Sequence, residues 1–335
     1  MTRYDKFNFV FFLNLACDYY RFMFYDALAL SNVRFIEFIG ANLNGKVSLA
    51  FKPFRPANNP AAFVNLQAFD IRSPKVFAQD FPTDAPIVFF FWANEYNFFR
   101  KNNFFKYLRK NYPDCKLVCW LTNPLQFYKR LGMFLDKAGT NEILSAFDCV
   151  FTYNQVDAID YGMTYFEGPY SVLPFAQPNQ DVDIFFVGLP KDRLEKILRA
   201  YETFKAAGFV CDFHISNLSN PPSIKADDLH FNGYLPYIEI LKCILCSRAV
   251  LDICTAGTYG LTPRYFESLA YDKIFITDNA FYRQERFTSP KLFLIDRSLE
   301  LDRKIFMAAS KLTNNYRNEY SPLRLITFLE SVLNA

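Results

Sequence analysis

Short runs of Phe, Val and Ile alternate with segments of helical periodicity along this chain. Runs such as Ile87–Trp92 (IVFFFW) and Lys116–Leu121 (KLVCWL) are apolar at nearly every position, which is typical of strands in a parallel sheet that helices cover on both faces. Neighbouring parallel strands need a crossover connection, usually a helix. The alternation therefore predicts the α/β fold class. We expect strands at residues 6–13, 33–39, 87–92, 116–121 and 149–153, and again at 184–187, 210–215, 249–253 and 273–277.

One polar segment marked by proline interrupts the alternation. It is QPNQDVD at residues 177–183, after Pro169 and Pro174, and its composition is typical of a linker. A chain of 335 residues is long for one domain, since ~100–200 residues is usual. We expect two Rossmann-like, doubly wound domains that face a central cleft, over residues 1–176 and 177–318. A C-terminal helix is expected within 319–335, and it could pack back on the first domain or stay with the second.

Glycine and histidine are scarce, at 11 and 2 residues respectively. Neither the GxGxxG fingerprint nor a P-loop motif occurs, which excludes the two commonest glycine-built phosphate sites. His214 and His230 are too few for an HExxH helix or a multi-histidine metal site. The CxxC of Cys243 and Cys246 lacks the second ligand pair that zinc needs. We therefore expect no metal and no bound cofactor.

Charge and hydropathy limit the classes of partner. The formal net charge of +3 is too small to indicate nucleic acid as a partner. Apolar runs are far shorter than the ~18–20 residues that span a bilayer, and no signal cleavage site stands out, so we expect a cytoplasmic protein. The segment from Phe98 to Lys110 combines basic and aromatic residues. As an amphipathic helix it would contact the inner membrane surface; alternatively its Phe side chains face the core.

The most informative stretch is AVLDICTAGTYGLTPRYFESLAYDKIFITDN at residues 249–279. Thr262 and Pro263 suit the N-cap and first position of a helix. Arg264 would then lie in the first turn, where the helix dipole disfavours a cation unless an anion is bound. Glu267, one turn later, could accept hydrogen bonds from a ribose diol. These residues predict a nucleotide-diphosphate site; the alternative is an exposed Arg–Glu pair.

Other loops of the second domain add candidates for the same site. Gly188 ends a strand and Arg193 opens a helix, so both could lie near a phosphate, although a solvated helix start is the alternative. Tyr234 and Tyr237 could stack on a nucleobase or fill the core. The remaining candidates come from the loop before Thr262 and are Thr258, Tyr259 and Gly260.

Five stretches in this order carry a resemblance to a known group: YDKFNFVFF, DCKLVCWLTNP, FDCVFTYNQVDAIDYGMTYF, DVDIFFVG followed by DR, and the 249–279 stretch. The chain resembles bacterial lipopolysaccharide and capsule glycosyltransferases of the GT-B fold, including CgeB-like and group 1 relatives. The resemblance implies a nucleotide-sugar donor, a glycan or lipid-linked glycan acceptor, and donor contacts from Arg264 and Glu267. Many retaining members place a Glu eight residues before the ribose-binding Glu, where this chain has Tyr259.

An inverting transfer needs a base within reach of the acceptor hydroxyl. Asp18 follows the first predicted strand and Glu95 follows IVFFFW, so both are candidate catalytic residues, although each could simply cap a helix. His214 could approach the donor phosphates or lie satisfied in the sheet. The sequence thus predicts a glycosyltransferase. The alternatives are a nucleotide-sugar 2-epimerase of the same architecture and a non-catalytic sugar-binding relative.

Overall fold

The computed structural model of the chain describes residues 6–14, 19–38, 51–53, 77, 81–101, 103–130, 137–218, 220–224 and 226–334. The chain divides into two compact units. One consists of Met1–Ser171 with Tyr320–Ala335, and the other is Val172–Glu319. The division therefore falls slightly before the expected boundary at 176/177, at the proline-marked loop rather than at the polar segment that follows it.

Within its described residues, the first unit forms a seven-stranded sheet in the order β3-β2-β1-β4-β5-β6-β7. Every neighbouring pair is parallel except β2 and β3. The strands are β1 Asn8–Asn14, β2 Val33–Phe38, β3 Phe51–Pro53, β4 Ile87–Trp92, β5 Lys116–Leu121, β6 Cys149–Thr152 and β7 Thr164–Tyr165. The helices between them are α1 Tyr19–Met23, α2 Tyr96–Lys101, α3 Phe104–Asn111, α4 Leu125–Arg130, α5 Lys137–Ala146 and α6 Gln155–Tyr161, with 3-10 turns at Tyr25–Ala29 and Ala93–Glu95.

Aromatic side chains fill both faces of the first sheet, because successive residues of a strand point to opposite faces. Phe12 stacks on Phe91 on one face with ring centroids 4.8 Å apart. Phe11 packs on Phe90 on the other face at 4.7 Å. All six residues of β4 are buried. The high aromatic content of the chain is thus mainly core filling in this unit.

The second unit carries a six-stranded sheet among its described residues, in the order β10-β9-β8-β11-β12-β13. All neighbouring pairs are parallel. Its elements are β8 Val182–Gly188, α7 Leu194–Ala206, β9 Cys211–Ser216, β10 Leu229–Asn232, α8 Tyr237–Cys246, β11 Ser247–Asp252, α9 Pro263–Ala270, β12 Ile274–Thr277, a 3-10 turn at Ala280–Arg283, β13 Leu292–Leu294 and α10 Arg303–Ala309. The sheet grows one way from β8 through β9 and β10, and the other way through β11. The predicted α/β class of two Rossmann-like units is confirmed.

The last helix, α11 (Pro322–Val332), belongs to the first unit. It buries Leu325, Ile326 and Leu329 completely in the core of that unit. Its N-cap, Ser321, accepts a hydrogen bond from the Leu323 N–H and donates one of 2.7 Å to Asp26. Of the helices in the described part of the chain, none is long and apolar enough to cross a membrane.

Candidate functional site

The candidate site lies where strand order reverses in the second sheet. Strands β8 and β11 are neighbours there, yet the chain leaves them in opposite directions across the sheet. In open α/β sheets, ligands bind outside the carboxyl ends of the strands at such a switch point. The loops that follow β8 and β11 both start at this edge. A hydrogen bond of 3.2 Å from the Ala256 N–H to the Asp192 carboxylate joins the two loops.

The loop after β8 places Gly188 and Arg193 together. Arg193 folds back so that its guanidinium donates to the Leu189 carbonyl at 3.2 Å and lies over the Phe186 ring at 6.0 Å. A Cβ atom on Gly188 would stand 3.0 Å from the Arg193 guanidinium and 3.3 Å from the Phe186 ring. Glycine at this position therefore lets Arg193 lie against the end of the strand.

The helix α9 begins at Pro263, as the sequence predicts, with Thr262 as its N-cap residue. The Thr262 hydroxyl makes no capping hydrogen bond. It donates instead to Asp252 at the end of β11, at 2.8 Å, while its backbone N–H donates to the Tyr282 hydroxyl at 3.2 Å. The predicted cap is wrong in this detail, because a buried carboxylate competes for the hydroxyl. The threonine thus fixes the helix to the strand.

Arg264 and Glu267 form an ion pair on α9, and it is buried rather than exposed. The Arg264 side chain is 17% exposed and that of Glu267 is 0%. The second carboxylate oxygen of Glu267 accepts a hydrogen bond of 2.8 Å from the Tyr237 hydroxyl. Burial raises the pKa of Glu267, while the Arg264 charge and the Tyr237 hydroxyl oppose that rise. Burial lowers the pKa of Arg264, but Glu267, Tyr237 and Asp252 together outweigh burial and raise it.

This arrangement bears on both tyrosine candidates and on the ribose prediction. Tyr237 is only 2% exposed, so its ring packs in the protein and its hydroxyl holds Glu267. Tyr234 is 58% exposed, so its ring is accessible to a nucleobase. Glu267 reaches no solvent in this conformation. Its carboxylate positions Arg264 and Tyr237, and a direct contact with ribose stays a prediction.

Asp252 is a buried carboxylate on which the charges of two arginines act. Burial raises its pKa, and the charges of Arg193 and Arg264 together with the Thr262 hydrogen bond oppose that rise. The side chains that lower the pKa of Asp252 thus follow both strands of the switch point, β8 and β11. Asp278, after β12, accepts a hydrogen bond of 2.7 Å from the Cys254 N–H and pairs with Lys196. These two carboxylates hold the loop between β11 and α9 in place.

The remaining loop candidates are themselves held by neighbouring side chains. The Gly260 carbonyl accepts a hydrogen bond of 3.0 Å from Asn279. The Tyr259 ring packs edge-on against Phe281 with centroids 5.2 Å apart. The Thr258 hydroxyl lies 3.1 Å from that of Thr255. The loop is therefore built into the unit before any ligand binds.

Sequence reasoning missed Lys191, which lies in the same strand-to-helix loop as Arg193. Its backbone is left-handed, with φ 46°. Desolvation by the surrounding protein, and then the charge of Arg193, lower its pKa. The signal in the sequence was the charged run KDR directly after Pro190. Lys191, Arg193 and Arg264 place three basic side chains in the segments that follow β8 and β11.

The two candidate bases belong to the first unit. Glu95 ends the 3-10 turn Ala93–Glu95 directly after β4 and is partly exposed. Because β4 lies beside β1 where the strand order of this sheet reverses, Glu95 follows the carboxyl end of a strand at a second switch point. Asp18 lies outside the described residues.

The basic segment 98–110 is not one helix. It falls in α2 and α3, with Asn103 between them in a left-handed conformation of φ 53°. Phe99 and Phe104 are 1% and 2% exposed and fill the core, so the prediction of an aromatic face for the membrane is wrong at these positions. Lys106 and Lys110 are exposed. A cavity of about 700 Å³ beside α3 is lined by Arg100, Lys106 and Arg109 among others.

Comparison with solved structures places the fold. The catalytic domain of starch synthase IV from Arabidopsis thaliana, bound to ADP and acarbose, matches with a TM-score of 0.56 and 8% identity, over 98% of this chain and 98% of that one. At this identity the likeness shows the fold alone, and that fold is α/β of the GT-B type.

Two further structures are similar at lower TM-scores. An alpha-glucosyltransferase in complex with UDP gives 0.47, with 12% identity over 79% of this chain and 84% of that one. A putative UDP-N-acetylglucosamine 2-epimerase from Listeria monocytogenes gives 0.44, with 11% identity over 73% of each chain. Such scores are too low to carry an argument about this chain. No protein-family model matches the sequence, and no curated protein matches it.

Proposed function

We propose that the chain is a glycosyltransferase that moves a sugar from a nucleotide-sugar donor to a surface-glycan acceptor of the lipopolysaccharide or capsule kind. The observation that carries this proposal is the set of basic side chains at the switch point of the second unit. There the charges of Arg193 and Arg264 both act on the buried Asp252 carboxylate, and a hydrogen bond joins the loop after β8 to the loop that leads into α9. Guanidinium groups and helix N-termini are preferred partners of phosphate.

The diphosphate and the nucleobase of the donor have candidate partners in the second unit. Arg264, Arg193 and Lys191 would bind the diphosphate, and the exposed Tyr234 ring would stack on the base. Glu267 would act through Arg264 by holding its guanidinium in place. Because these side chains supply positive charge to the leaving phosphate, we propose a transfer that uses no metal ion.

The chemistry assigned to the first unit is proton removal. The bond between the anomeric carbon and the donor phosphate oxygen breaks, and the nucleoside diphosphate leaves with the electron pair. The acceptor oxygen forms the new bond to that carbon, and its proton passes to a carboxylate. Glu95 and Asp18 are the two candidates for this base. Glu95→Gln and Asp18→Asn, which keep the sizes of the side chains, separate the two: the variant that removes the base should abolish turnover while donor binding stays at the wild-type level.

Donor binding tests the site directly. A ligand that binds only the folded protein raises its unfolding temperature, so the chain should be screened against UDP-, GDP-, CDP- and dTDP-sugars. Arg264→Met/Glu267→Gln removes both charges of the buried pair, which is often tolerated where the loss of one partner is not. Loss of the charge-assisted bonds costs about 1.5–3 kcal/mol, so we expect the double variant to bind the donor about 10–100-fold more weakly.

The matched control for that experiment is Arg297→Ala, which removes an exposed arginine of the same unit. It should leave the donor Kd unchanged. Wild-type affinity in the double variant would overturn the assignment of the site. A product assay with and without a glycan acceptor separates transfer from epimerisation, because only an epimerase yields an isomeric nucleotide sugar without an acceptor.

We further propose that the protein works in the cytoplasm and contacts the inner membrane face, where a lipid-linked acceptor would lie. Exposed Lys106 and Lys110 support this contact, since each lysine near an anionic surface contributes about 1 kcal/mol. Binding to vesicles that contain phosphatidylglycerol should weaken in Lys106→Glu/Lys110→Glu. The charge-matched control is Lys304→Glu/Lys311→Glu, at exposed positions of the second unit. Equal effects of the two variants would contradict the contact.

A further inference from the structure

The chain has two histidines, and the fold stacks them on each other. His214 lies on β9 and His230 on β10, and the two are paired directly in the parallel register. Their ring centroids are 4.5 Å apart with an angle of 30° between the planes. By number alone, two histidines are too few for a multi-histidine metal site. The register of two strands brings them together from positions sixteen residues apart.

A carboxylate completes the group. Asp212 precedes His214 by two residues on β9, so both side chains point to the same face of the sheet. One Asp212 oxygen lies 2.8 Å from Nε2 of His214 and 3.5 Å from Nε2 of His230. The three candidate ligand atoms all lie within 4.8 Å of one another. Two imidazole nitrogens and one carboxylate oxygen therefore lie within reach of a single ion.

These separations are close to those of a metal-bound set. With bonds of ~2.0–2.1 Å, the ligand atoms of a tetrahedral zinc ion stand about 3.3 Å apart. The distance from Asp212 to His230 already has this size, and that from Asp212 to His214 needs to open by about half an ångström. Rotation about the side-chain bonds of Asp212 and His230 can supply this.

The surroundings suit an ion that enters from solvent. The side chains of Asp212, His214 and His230 are 21%, 12% and 39% exposed. His230 lies on the edge strand of the sheet, while the inner histidine packs against Phe185 with ring centroids 5.9 Å apart. Solvent can therefore reach the group at His230, while packing against Phe185 restricts the orientation of His214. Imidazole ligands favour zinc, nickel or copper over magnesium or calcium, which prefer oxygen.

We propose that Asp212, His214 and His230 form a binding site for one divalent transition-metal ion of the zinc class, with water completing its coordination. The ion would connect β10 to β9 through side chains. Strand β10 is only four residues long and leads into the loop that carries Tyr234 and then into α8, whose Tyr237 holds Glu267. The metal would therefore stabilise the segment that supports the candidate donor site. The metal-site proposal does not depend on the proposed glycosyl transfer, because it uses different residues and a different measurement.

The experiment uses the full chain, stripped with a chelator and then titrated with ZnCl₂. Because the chain also has eight cysteines, the readout must report on histidine. Long-range ¹H–¹⁵N spectra serve this purpose, since the imidazole signals arise from two residues alone. We expect the Nε2 signals of both histidines to shift together and to saturate at one Zn²⁺ per chain, with a rise in the unfolding temperature.

Variants separate a built site from incidental binding. His230→Gln keeps a polar side chain at a position open to solvent, and it should lose the zinc-dependent rise in unfolding temperature and weaken Zn²⁺ binding at least tenfold. Asp212→Asn should weaken binding similarly. The charge-matched control is Asp227→Asn, an exposed neighbour outside the group, which should bind as the wild type does. Histidine signals that do not respond to Zn²⁺, or a response that survives in His230→Gln, would overturn the proposal.

Discussion

The Tyr237 hydroxyl donates a hydrogen bond of 2.8 Å to Oε1 of Glu267, which joins the first residue of α8 to the middle of α9. Both side chains are buried, at 2% and 0% exposure. A buried carboxylate is costly unless its oxygens are paired. Tyr237 and Arg264 together meet that need, so the two helices are coupled through one carboxylate at the candidate donor site.

Tyr237→Phe should therefore destabilise the protein without changing its surface. A hydrogen bond to a charged group contributes about 1.5–3 kcal/mol, so we expect the free energy of unfolding in urea to fall by about that amount. The matched control is Tyr234→Phe, at 58% exposure, where a change within about 0.5 kcal/mol is expected. An equal fall in the free energy of unfolding in the two variants would show that the hydrogen bond from Tyr237 to Glu267 does not stabilise the protein.

The ion pair between Arg264 and Glu267 should show strong coupling. Glu267→Gln alone leaves the Arg264 guanidinium in a buried setting without its counter-charge, which typically costs about 3–5 kcal/mol. Arg264→Met/Glu267→Gln removes both charges and should unfold near the wild-type urea midpoint. A double-mutant cycle measures the difference. If the double variant is as unstable as Glu267→Gln, the charge imbalance is not the cause.

Gly188→Ala tests the position of Arg193. The new Cβ atom would stand 3.0 Å from the guanidinium and 3.3 Å from the Phe186 ring, so the flexible arginine has to move. We expect a loss of stability of about 1 kcal/mol or less and donor binding about tenfold weaker, measured by calorimetry. Gly233→Ala is the control, because its Cβ would meet no described atom within 4 Å. Unchanged donor binding in Gly188→Ala, or an equal loss in both variants, would contradict a role for Arg193.

The strands that sequence patterns predicted best are those that the core determines. The run at 87–92 is buried at all six positions, so its composition alone identified β4. Strand β13 was missed, because Leu292–Leu294 is short and only partly buried. The start of α9 was predicted because Thr262 and Pro263 carry a local signal that needs no knowledge of the fold.

The site was harder to predict because its side chains choose partners across the fold. The Thr262 hydroxyl binds Asp252 rather than its own helix, and Tyr237 packs inside the protein rather than presenting a ring to a ligand. Likewise, His214 and His230 meet only because β9 and β10 pair in one particular register. Composition and spacing carry no information on such register or on competition between buried acceptors. The sequence therefore predicted which loops form the site but not which hydrogen bonds and ion pairs their side chains make.

Lys273 should make the stability of the protein depend on alkaline pH. Its side chain is fully buried and donates a hydrogen bond of 2.8 Å to the Leu245 carbonyl. Burial lowers the pKa of Lys273 to about 8, whereas the unfolded chain keeps about 10.5. Below the lower value the folded state carries the cost of a buried charge. Between the two values the folded lysine releases its proton first, so stability rises with pH through this window.

The measurement is the free energy of unfolding of the wild type and of Lys273→Met, from urea titrations at several pH values between about 7 and 10.5. Met has a similar volume and no charge, so we expect the variant to be more stable near neutral pH by up to about 3 kcal/mol. That advantage should shrink steadily as the pH rises, because the wild-type side chain becomes neutral. Taking the difference between the two proteins removes the contribution of other groups that titrate in this range. An advantage that does not change with pH would mean that the buried charge is not what the substitution relieves.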